Sequence, residues 1–495
     1  MLKISFVAAP SRAEGLAVGL RPGGALPDLG RAAATALLLG RTLARRHSFK
    51  GEEGDVLPVL TADHWLVLVG LGPIEQQNSR RLRRVGGGLF AELATSGIAK
   101  LDVAFGLDPL EAAELAYGML LRAWRPAARY RSKADPDQVW SLSKIAIVSP
   151  DPSLSQRRLD RLAAVAAGSA YARDLVVAPG NELTPQSFID RLDRLTRQGI
   201  SLDVLDAATH GLRLLQAVGQ GSAVPPRLAL LHWRGAGKTE RPLVFVGKGI
   251  TFDTGGIDIK PRADMEEMKG DMAGAAAVAG ALYALALRRA PVNAVGVLAL
   301  AENMPSGQAT RPGDVVASYA GTTVEIIDTD AEGRLVLADA LAYAAAKYRP
   351  RAMVDLATLT GAVEVALGRH RAGLFTADDQ LAERLMAAGE AEDELLWRLP
   401  LTDAYDDALK SLAADLRNCD WEHGPDALHA ARFLQHFVPD GVAWAHLDIA
   451  GLSEAEEDGP LAAEGPTGFG VRLLDRLAED LAAHPWSKGA GVPSV

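Results

Sequence analysis

The sequence predicts an α/β protein of two domains: a smaller N-terminal α/β domain and a larger C-terminal α/β domain with a mixed central sheet flanked by helices. Three observations support this class. At 495 residues the chain exceeds the size of one typical hydrophobic core. Short apolar runs alternate with Ala- and Leu-rich helical patterns along most of its length. A long helical pattern over 153–176 separates two such stretches and stops at the breaker Ala-Pro-Gly-Asn over 178–181.

The elements follow in chain order. The N-terminal α/β domain is predicted over 1–150, and its opening residues form a first strand. Its other elements are predicted from apolar runs and helical spacing: strands at 66–70, 101–105 and 145–148, and helices at 31–46 and 76–95. Residues 151–178 are predicted as a linking helix, and 179–495 as the C-terminal domain. The elements of that domain are strands at 228–231, 243–246, 292–299, 324–327, 353–357 and 443–449, and helices at 268–288, 334–347 and 425–437.

Composition argues against some classes of protein. The net charge of −10 disfavours a nucleic-acid-binding protein, so nucleic acid is not an expected partner. The one cysteine, Cys419, cannot form an intramolecular disulfide and is interpreted as a packed apolar residue. The N-terminus lacks a signal-peptide pattern, and charged residues interrupt the apolar stretches before they reach membrane-spanning length. A cytoplasmic protein without membrane contact is therefore expected.

Two short segments carry the candidate chemistry. The first follows the apolar strand 243–246 and contains Lys248, Asp253, Lys260 and Asp271 among small or apolar neighbours. Gly-rich loops after a strand are where α/β sheets place their sites. The turn at 247–249 lacks the spacing of a phosphate or dinucleotide loop, so no nucleotide site is predicted.

The second segment, 328–334, lies between a predicted strand and a predicted helix. Asp330, Glu332 and Arg334 are two residues apart, so an extended chain would point all three to one side. Asp328 and Asp330 are also good capping candidates, since both precede a helix.

Several carboxylates in one cleft repel one another unless a cation neutralises them. Their oxygens suit Mg²⁺, Mn²⁺ or Zn²⁺, and two such ions could hold one water between them and generate hydroxide near neutral pH. A single Asp or Glu is more often a cap, a turn residue or a solvated side chain. Metal-assisted hydrolysis is therefore the hypothesis, and spacing alone leaves a phosphatase or a structural ion site open.

Several segments of the chain resemble the leucyl aminopeptidase family of dinuclear-metal peptidases, and the resemblance extends over roughly residues 172–475. In family order they are RDLVVAPGNELTP, VGKGITFDTGGIDIKP, AENMPSGQATRPGDVV, DTDAEGRLVLADAL, DLATLTGA and WAHLDIAG. The first third of the chain resembles the family only in size and pattern. The resemblance implies a catalytic C-terminal domain that removes the N-terminal residue from peptides with a free amine, and a homohexamer.

The resemblance also implies a dinuclear metal site that holds two divalent ions, Mn²⁺ or Zn²⁺, in each subunit. One would be held by Lys248, Asp253, Asp271 and Glu332. The other would be held by Asp253, Asp330 and Glu332, with the Asp330 carbonyl helping.

Further roles follow from the same resemblance. Lys260 would polarise the scissile carbonyl, and Arg334 would hold a bicarbonate ion that accepts a proton from the bridging water. A hydrophobic pocket for the first side chain, favouring Leu or Met, would be lined by Met268, Thr358, Leu359 and Gly361.

Three features depart from the family pattern. Asp328 stands where relatives commonly have Asn, and could tighten metal binding or be mere variation. Gly270 is smaller than the residue many relatives carry. The stretch 419–436 lacks a Gly-rich loop, and its three histidines are interpreted as packing or surface residues: His423, His429 and His436.

Two rival functions stay open from the sequence. The Arg-rich helical patterns at 41–46 and 80–84 could bind DNA, although a solvated helix face is the preferred interpretation. A catalytically inactive structural relative is the second rival, and it is disfavoured because every implied metal ligand is present.

Overall fold

The structure, a computed structural model of the chain, describes residues 2–11, 13–22, 42–61, 64–126, 132–133, 139–237, 240–420 and 424–484. It divides into two compact units. One comprises Met1–Ala166 with Ala455–Gly465, and the other comprises Ala167–Glu454 with Pro466–Val495. The division falls inside the helix Pro152–Val176, at the position of the predicted linking helix. The two-domain α/β class is confirmed, and the linking role of 151–178 stays a prediction.

The first unit is built on a six-stranded sheet. Its strands, in sheet order, are Lys3–Val7, Lys144–Val148, Lys100–Ala104, Gly15–Leu20, Trp65–Gly70 and Val56–Leu60. Neighbours are parallel except for the last pair. The central strands are buried along most of their length, as in parallel sheets that are covered on both faces.

Two helices of this unit have clear start signals. Ser79–Leu93 begins after Asn78, whose side chain accepts a hydrogen bond from the Arg81 backbone N–H at 3.0 Å. Pro109–Arg122 begins with a reciprocal capping box. The first helix was predicted from its period, but the second was not, because burial of most of its residues leaves it no polar face. The predicted helix 31–46 falls mostly outside the described residues.

The second unit contains a mixed central sheet, as predicted, and this sheet has eight strands. Its strands, in sheet order, are Leu396–Arg398, Ala372–Phe375, Trp444–Asp448, Ala352–Ala357, Leu243–Asp253, Asn293–Asn303, Arg227–Arg234 and Ser201–Asp206. The four central strands are parallel, and the neighbouring strand on either side, Ala372–Phe375 or Arg227–Arg234, runs antiparallel to them.

The helices on this sheet follow from the period-two alternation of its strands. In the central strand Leu243–Asp253, Leu243 and Phe245 pack into one apolar cluster with the helix Ala273–Leu287. Val244 and Val246 pack into the other cluster with the helix Glu332–Tyr348. The two helices therefore cover opposite faces of the same strands, and the loops before both helices meet at the carboxyl ends of the strands.

The remaining elements of this unit surround that frame. The helices are Pro185–Arg191, Asp193–Thr196, Arg213–Gly219, Gly361–Leu367, Asp379–Glu392, Asp426–Gln435 and Val471–Ala483. A small sheet consists of Asp314–Ala317, Thr323–Ile326 and Leu416–Arg417, and its second strand ends just before the segment 328–334. The run Met265–Leu287 is apolar and long enough to cross a membrane, but 94% of its apolar window is buried inside the fold, as in a core helix.

Candidate metal centre

The strand Leu243–Asp253 carries two of the candidate ligands beyond the edge of its neighbour. Its pairing with Ala352–Ala357 ends at Gly247, whereas its pairing with Asn293–Asn303 continues to Asp253. The prediction placed the end of this strand at 246, because Gly247, Lys248 and Gly249 interrupt the apolar run. Lys248 and Asp253 consequently lie on a strand and are held rigidly, and both are buried.

The Lys248 ammonium is completely surrounded by acceptors. Its Nζ lies 2.8 Å from Asp271 Oδ1, 2.7 Å from Glu332 Oε1 and 2.8 Å from the Thr358 carbonyl oxygen. Three acceptors match the three N–H donors of an ammonium group. Gly333 leaves room for this side chain, because a Cβ there would lie 2.7 Å from Lys248 Cε.

Lys260 stands at the open side of the cluster. Its Nζ lies 2.8 Å from Asp253 Oδ2 and 2.5 Å from Asp330 Oδ1, and its side chain is 20% exposed. The loop between Asp253 and Lys260 turns at Gly255, whose φ of +88° favours glycine, and a Cβ there would lie 2.9 Å from Asp330 Oδ1. The turn thus brings Lys260 back to Asp253, the last residue of the strand that precedes the loop.

The prediction for the segment 328–334 was wrong in its geometry. The helix Glu332–Tyr348 starts at Glu332, so Glu332 and Arg334 are helical and do not share one side of an extended chain. Residues two apart on a helix point in different directions. Accordingly Glu332 reaches Lys248, whereas Arg334 donates to the Asn418 carbonyl oxygen at 2.8 Å and to Asp426 Oδ1 at 2.7 Å.

Three of the predicted ligands form a group that could hold a metal ion. Oxygens of Asp253, Asp330 and Glu332 all lie within 4.8 Å of one another. Asp271 joins the cluster through Lys248. Among the described residues, Asp271 Oδ2 and Glu332 Oε2 are buried oxygens with no hydrogen-bond partner. Buried carboxylate oxygens without donors are costly, so these residues fit divalent cations.

The electrostatics point the same way. Burial raises the pKa of Asp271 well above its usual range, and burial together with the charge of Asp253 raises the pKa of Glu332. The same two causes raise the pKa of Asp330 to about 7. Burial lowers the pKa of Lys248 and Lys260, but the surrounding carboxylates outweigh it and raise both pKa values. Both lysines are therefore charged at neutral pH, and the excess negative charge calls for a cation.

Asp328 has a local structural role. It is half-buried, burial raises its pKa, and its Oδ1 accepts from the Asp330 backbone N–H at 2.7 Å. Asp330 is not the helix cap that its position also suggested, since no side chain caps the helix Glu332–Tyr348. Gly270 is buried, and a Cβ there would lie 3.1 Å from Glu454 Oε1.

The predicted pocket residues lie beside the cluster. Met268 is partly buried in the 3-10 turn Met265–Gly270, just before Asp271. Thr358 and Leu359 are half-buried, and the Thr358 hydroxyl donates to Asp271 Oδ1 at 2.6 Å. Gly361 is exposed, and nothing lies within 4 Å of a Cβ placed there. Their role in binding a side chain stays a prediction.

Two positioning residues were missed from the sequence. Asp448, at the end of the strand Trp444–Asp448, accepts from the backbone N–H groups of Leu359 and Thr360, both at 3.1 Å. It thereby fixes the loop whose Thr358 holds Lys248 and Asp271. Asn418 acts similarly, since its side chain accepts from the Ile327 backbone N–H and donates to the Asp328 carbonyl. A buried polar residue that ends an apolar strand was the available signal for Asp448.

We expect Asp448→Ala to lower turnover by about 10–100-fold, because loss of a residue that orients metal ligands typically costs this much. The variant should also bind metal more weakly, as its loop no longer presents the Thr358 oxygens in one place. Steady-state kinetics and metal titration measure both effects. Asp378→Ala is the matched control, since Asp378 caps the helix Asp379–Glu392 away from the cluster. An equal loss of turnover in both variants would mean that Asp448 acts only through stability.

The other sequence candidates have ordinary roles. Burial raises the pKa of Cys419 to about 12, consistent with an inert thiol. His429 is buried with its ring 5.9 Å from that of Tyr405, and His423 lies outside the described residues. His436 has a carboxylate partner that was not foreseen, as its Nε2 lies 3.2 Å from Asp406 Oδ1.

The basic segment 80–84 is not a free cationic face. Arg81 and Arg84 both pair with Glu53, and Arg83 is buried against Glu114. The DNA-binding alternative therefore gains no support from these residues, and residue 41 of the other basic segment lies outside the described part of the chain.

A mixed β-sheet flanked by helices, with a largely buried cluster of carboxylates and lysines at the carboxyl ends of its parallel strands, is typical of a metal-dependent hydrolase. The profile described as "Cytosol aminopeptidase family, catalytic domain" matches residues 170–475, and that of the family's N-terminal domain matches residues 17–134. The chain belongs to the cytosol aminopeptidase family and is a metal-dependent aminopeptidase that acts on peptides.

Relatives and solved structures agree with this family. The probable cytosol aminopeptidase of Brucella anthropi is 42% identical, with 97% of this chain and 98% of the relative covered. That of Caulobacter vibrioides is 43% identical, with 97% and 99% covered. The bottromycin maturation enzyme BotP in complex with Mn has a TM-score of 0.83 and 36% identity, covering 95% of this chain and all of that one. A mutant tomato leucine aminopeptidase has a TM-score of 0.85 and 31% identity, covering 97% and 96%.

Proposed function

We propose that the protein is a dinuclear-metal aminopeptidase that releases hydrophobic N-terminal residues, above all Leu and Met, from peptides. The observation that carries the proposal is the largely buried cluster of Asp253, Asp271, Asp330 and Glu332 around Lys248 and Lys260, with two carboxylate oxygens that lack partners among the described residues. The four carboxylates outnumber the two ammonium groups, so divalent cations can neutralise the remaining negative charge.

The ligand assignment follows the family resemblance and is compatible with these contacts. Lys248, Asp253, Asp271 and Glu332 would hold one ion, and Asp253, Asp330 with its carbonyl, and Glu332 the other. Bound ions of this kind polarise a carbonyl and make water nucleophilic near neutral pH. The Mn complex of BotP supports manganese as one of the suitable metals.

The chain's own groups would orient the peptide. Lys260 is the partly exposed ammonium of the cluster, so it can donate to the scissile carbonyl oxygen and stabilise its negative charge as the bond breaks. The resemblance implies that the substrate's free N-terminal amine would sit on a metal, so a peptide with a blocked amine would lack this anchor. Met268, Thr358, Leu359 and Gly361 would surround the first side chain, and the open space at Gly361 admits a large residue.

Two further parts of the proposal come from the resemblance alone. They are a homohexameric assembly and a cytoplasmic location, and the resemblance also implies a bicarbonate ion on Arg334. The Asp426 carboxylate already pairs with that arginine, so bicarbonate is not part of the proposed function.

Exhaustive chelation should abolish hydrolysis of leucine-p-nitroanilide, and Mn²⁺ or Zn²⁺ should restore it, with two ions per subunit at full activity. The reason is that no other group in the cluster can replace the cation's charge. Turnover and metal content measured on the same samples test this. Full activity after chelation would contradict the proposal. An N-acetylated leucyl substrate serves as the control, and its cleavage at a comparable rate would point to an endopeptidase.

A further inference from the structure

Arg334 is a buried cation that forms an ion pair with Asp426 of the same chain. Its side chain is 3% exposed, and its terminal nitrogens donate to Asp426 Oδ1 at 2.7 Å and to the Asn418 carbonyl oxygen at 2.8 Å. Burial lowers the pKa of this guanidinium, but the charge of Asp426 and the hydrogen bond to it raise the pKa. A buried guanidinium needs such a partner, because an unpaired charge in the interior is costly.

Asp426 is well placed to keep this position. It is the first residue of the helix Asp426–Gln435, where the helix dipole stabilises a negative charge. Its side chain is 45% exposed, so it loses only part of its hydration by pairing. It also lies in the stretch 419–436, which departs from the family pattern. Asp426 is part of the chain, so its carboxylate loses no translational entropy when it pairs with Arg334. A free anion loses translational entropy when it binds.

A bicarbonate ion does not fit Arg334 while this pair stands. It would have to displace a charge-assisted hydrogen bond of 2.7 Å and leave Asp426 next to a second anion. We propose that Asp426 supplies from within the chain the anion that Arg334 holds, so that this aminopeptidase works without bicarbonate. The inference rests on the proposed function for its kinetic arm only.

Removal of the Asp426 carboxylate should create a bicarbonate site. In Asp426→Ala, the Nη2 of Arg334 would lose its acceptor. Nε has no partner among the described residues, so Nε and Nη2 would form a parallel pair of free donors. Such a pair matches two oxygens of one planar anion. Asp426→Asn, which keeps the shape of the side chain, should show a weaker form of the same change.

The binding test is calorimetric titration of sodium bicarbonate into the zinc-loaded full chain. We expect no saturable binding to the wild type, saturable binding to Asp426→Ala, and loss of it in the double variant Asp426→Ala/Arg334→Met. Equal binding to wild type and Asp426→Ala would overturn the inference. Binding that persists in the double variant would place the ion elsewhere and would overturn it as well.

The kinetic test compares turnover in bicarbonate-free and bicarbonate-containing buffer. Wild-type turnover should not change, whereas Asp426→Ala should be slower without bicarbonate and rise about tenfold or more when it is added. Asp406→Ala is the matched control, because Asp406 pairs with Arg432 on the same helix, and it should show no response to bicarbonate. Wild type activated as strongly as Asp426→Ala would refute the inference. Absence of any turnover in the wild type would instead refute the proposed function and leave the binding test to decide.

Discussion

Glu332→Ala should lower turnover by at least about 10³-fold, the largest loss expected from any single replacement in this protein. Glu332 is one of the two acids that are proposed to bind both metal ions. Its Oε1 lies 2.7 Å from Lys248 Nζ, and one of its oxygens lies within 4.8 Å of an oxygen of Asp253 and of an oxygen of Asp330. Its loss would remove a proposed bridging ligand and leave the buried Lys248 with one carboxylate fewer.

Steady-state kinetics with leucine-p-nitroanilide, together with metal analysis, measure the effect. Glu332→Gln keeps the size of the side chain, so it separates the loss of charge from the loss of packing, and it should be nearly as inactive. Glu325→Ala is the control, since Glu325 is a partly buried acid on the small sheet and accepts a hydrogen bond from the Ser411 hydroxyl. Turnover of Glu332→Ala within tenfold of the wild type would remove Glu332 from the proposed ligand set.

The strand Leu243–Asp253 shows how far local pattern predicts this fold. Its apolar half was predicted, but its second half, with two glycines and a lysine, has no strand pattern of its own. Hydrogen bonds to Asn293–Asn303, about fifty residues later in the chain, extend it. Sheet order depends on such distant pairings, so the sequence predicted the α/β class and most central elements but not the arrangement of the edges.

The candidate site was also predicted only in part, and for the same physical reason. The residue types of the cluster were predicted because carboxylates and lysines among apolar neighbours are unusual, and the resemblance named them. The partners that position them were not. Asp426 meets Arg334 across 92 positions of sequence, and Asp448 meets Thr360 across 88, so no spacing rule connects either pair.

The orientation of Arg334 illustrates a local failure. A two-residue spacing indicates one shared side only if the chain is extended, and the helix here starts at Glu332. The consequence is functional, because the helical turn sends Glu332 to the lysine and Arg334 to Asp426.

Metal affinity should rise with pH, and Lys248 is the reason. An ammonium group has no lone pair, so Lys248 can become a ligand only when a metal displaces its proton. The proton is held firmly in the metal-free protein. Burial lowers the pKa of Lys248, but the charges of Asp271, Glu332 and Asp253 outweigh burial and raise it. As long as pH stays below this raised pKa, each unit of increase should strengthen binding at the Lys248 site by about tenfold.

The neighbouring acids add a smaller dependence of the same sign. Burial and the charge of Asp253 raise the pKa of Asp330 to about 7, so part of this group must also lose a proton before it binds metal in mildly acidic buffer. This contribution ends once pH passes that value, whereas the lysine contribution continues into alkaline solution. The two can therefore be separated by titrating above and below neutrality.

Three variants isolate the lysine. Lys248→Met removes the amine and its charge, so it should bind one ion weakly and lose the alkaline part of the pH dependence. Lys248→Arg should bind more weakly than Lys248→Met, because guanidinium stays protonated and repels the cation. Lys260→Arg is the matched control, since Lys260 contacts Asp253 and Asp330 without a proposed role as ligand, and it should keep the pH dependence of the wild type.

The measurement is a metal titration of all four proteins at about pH 6.5 and about pH 9, with Zn²⁺ or Mn²⁺ and a competing chelator. Two ions should bind to the wild type, one of them far more tightly at the higher pH. A wild type and Lys248→Arg with equal, pH-independent affinity for two ions would show that Lys248 keeps its proton and is not a ligand. Its three acceptors, Asp271, Glu332 and the Thr358 carbonyl, would then describe a structural ion pair that orders the cluster around metals held by carboxylates alone.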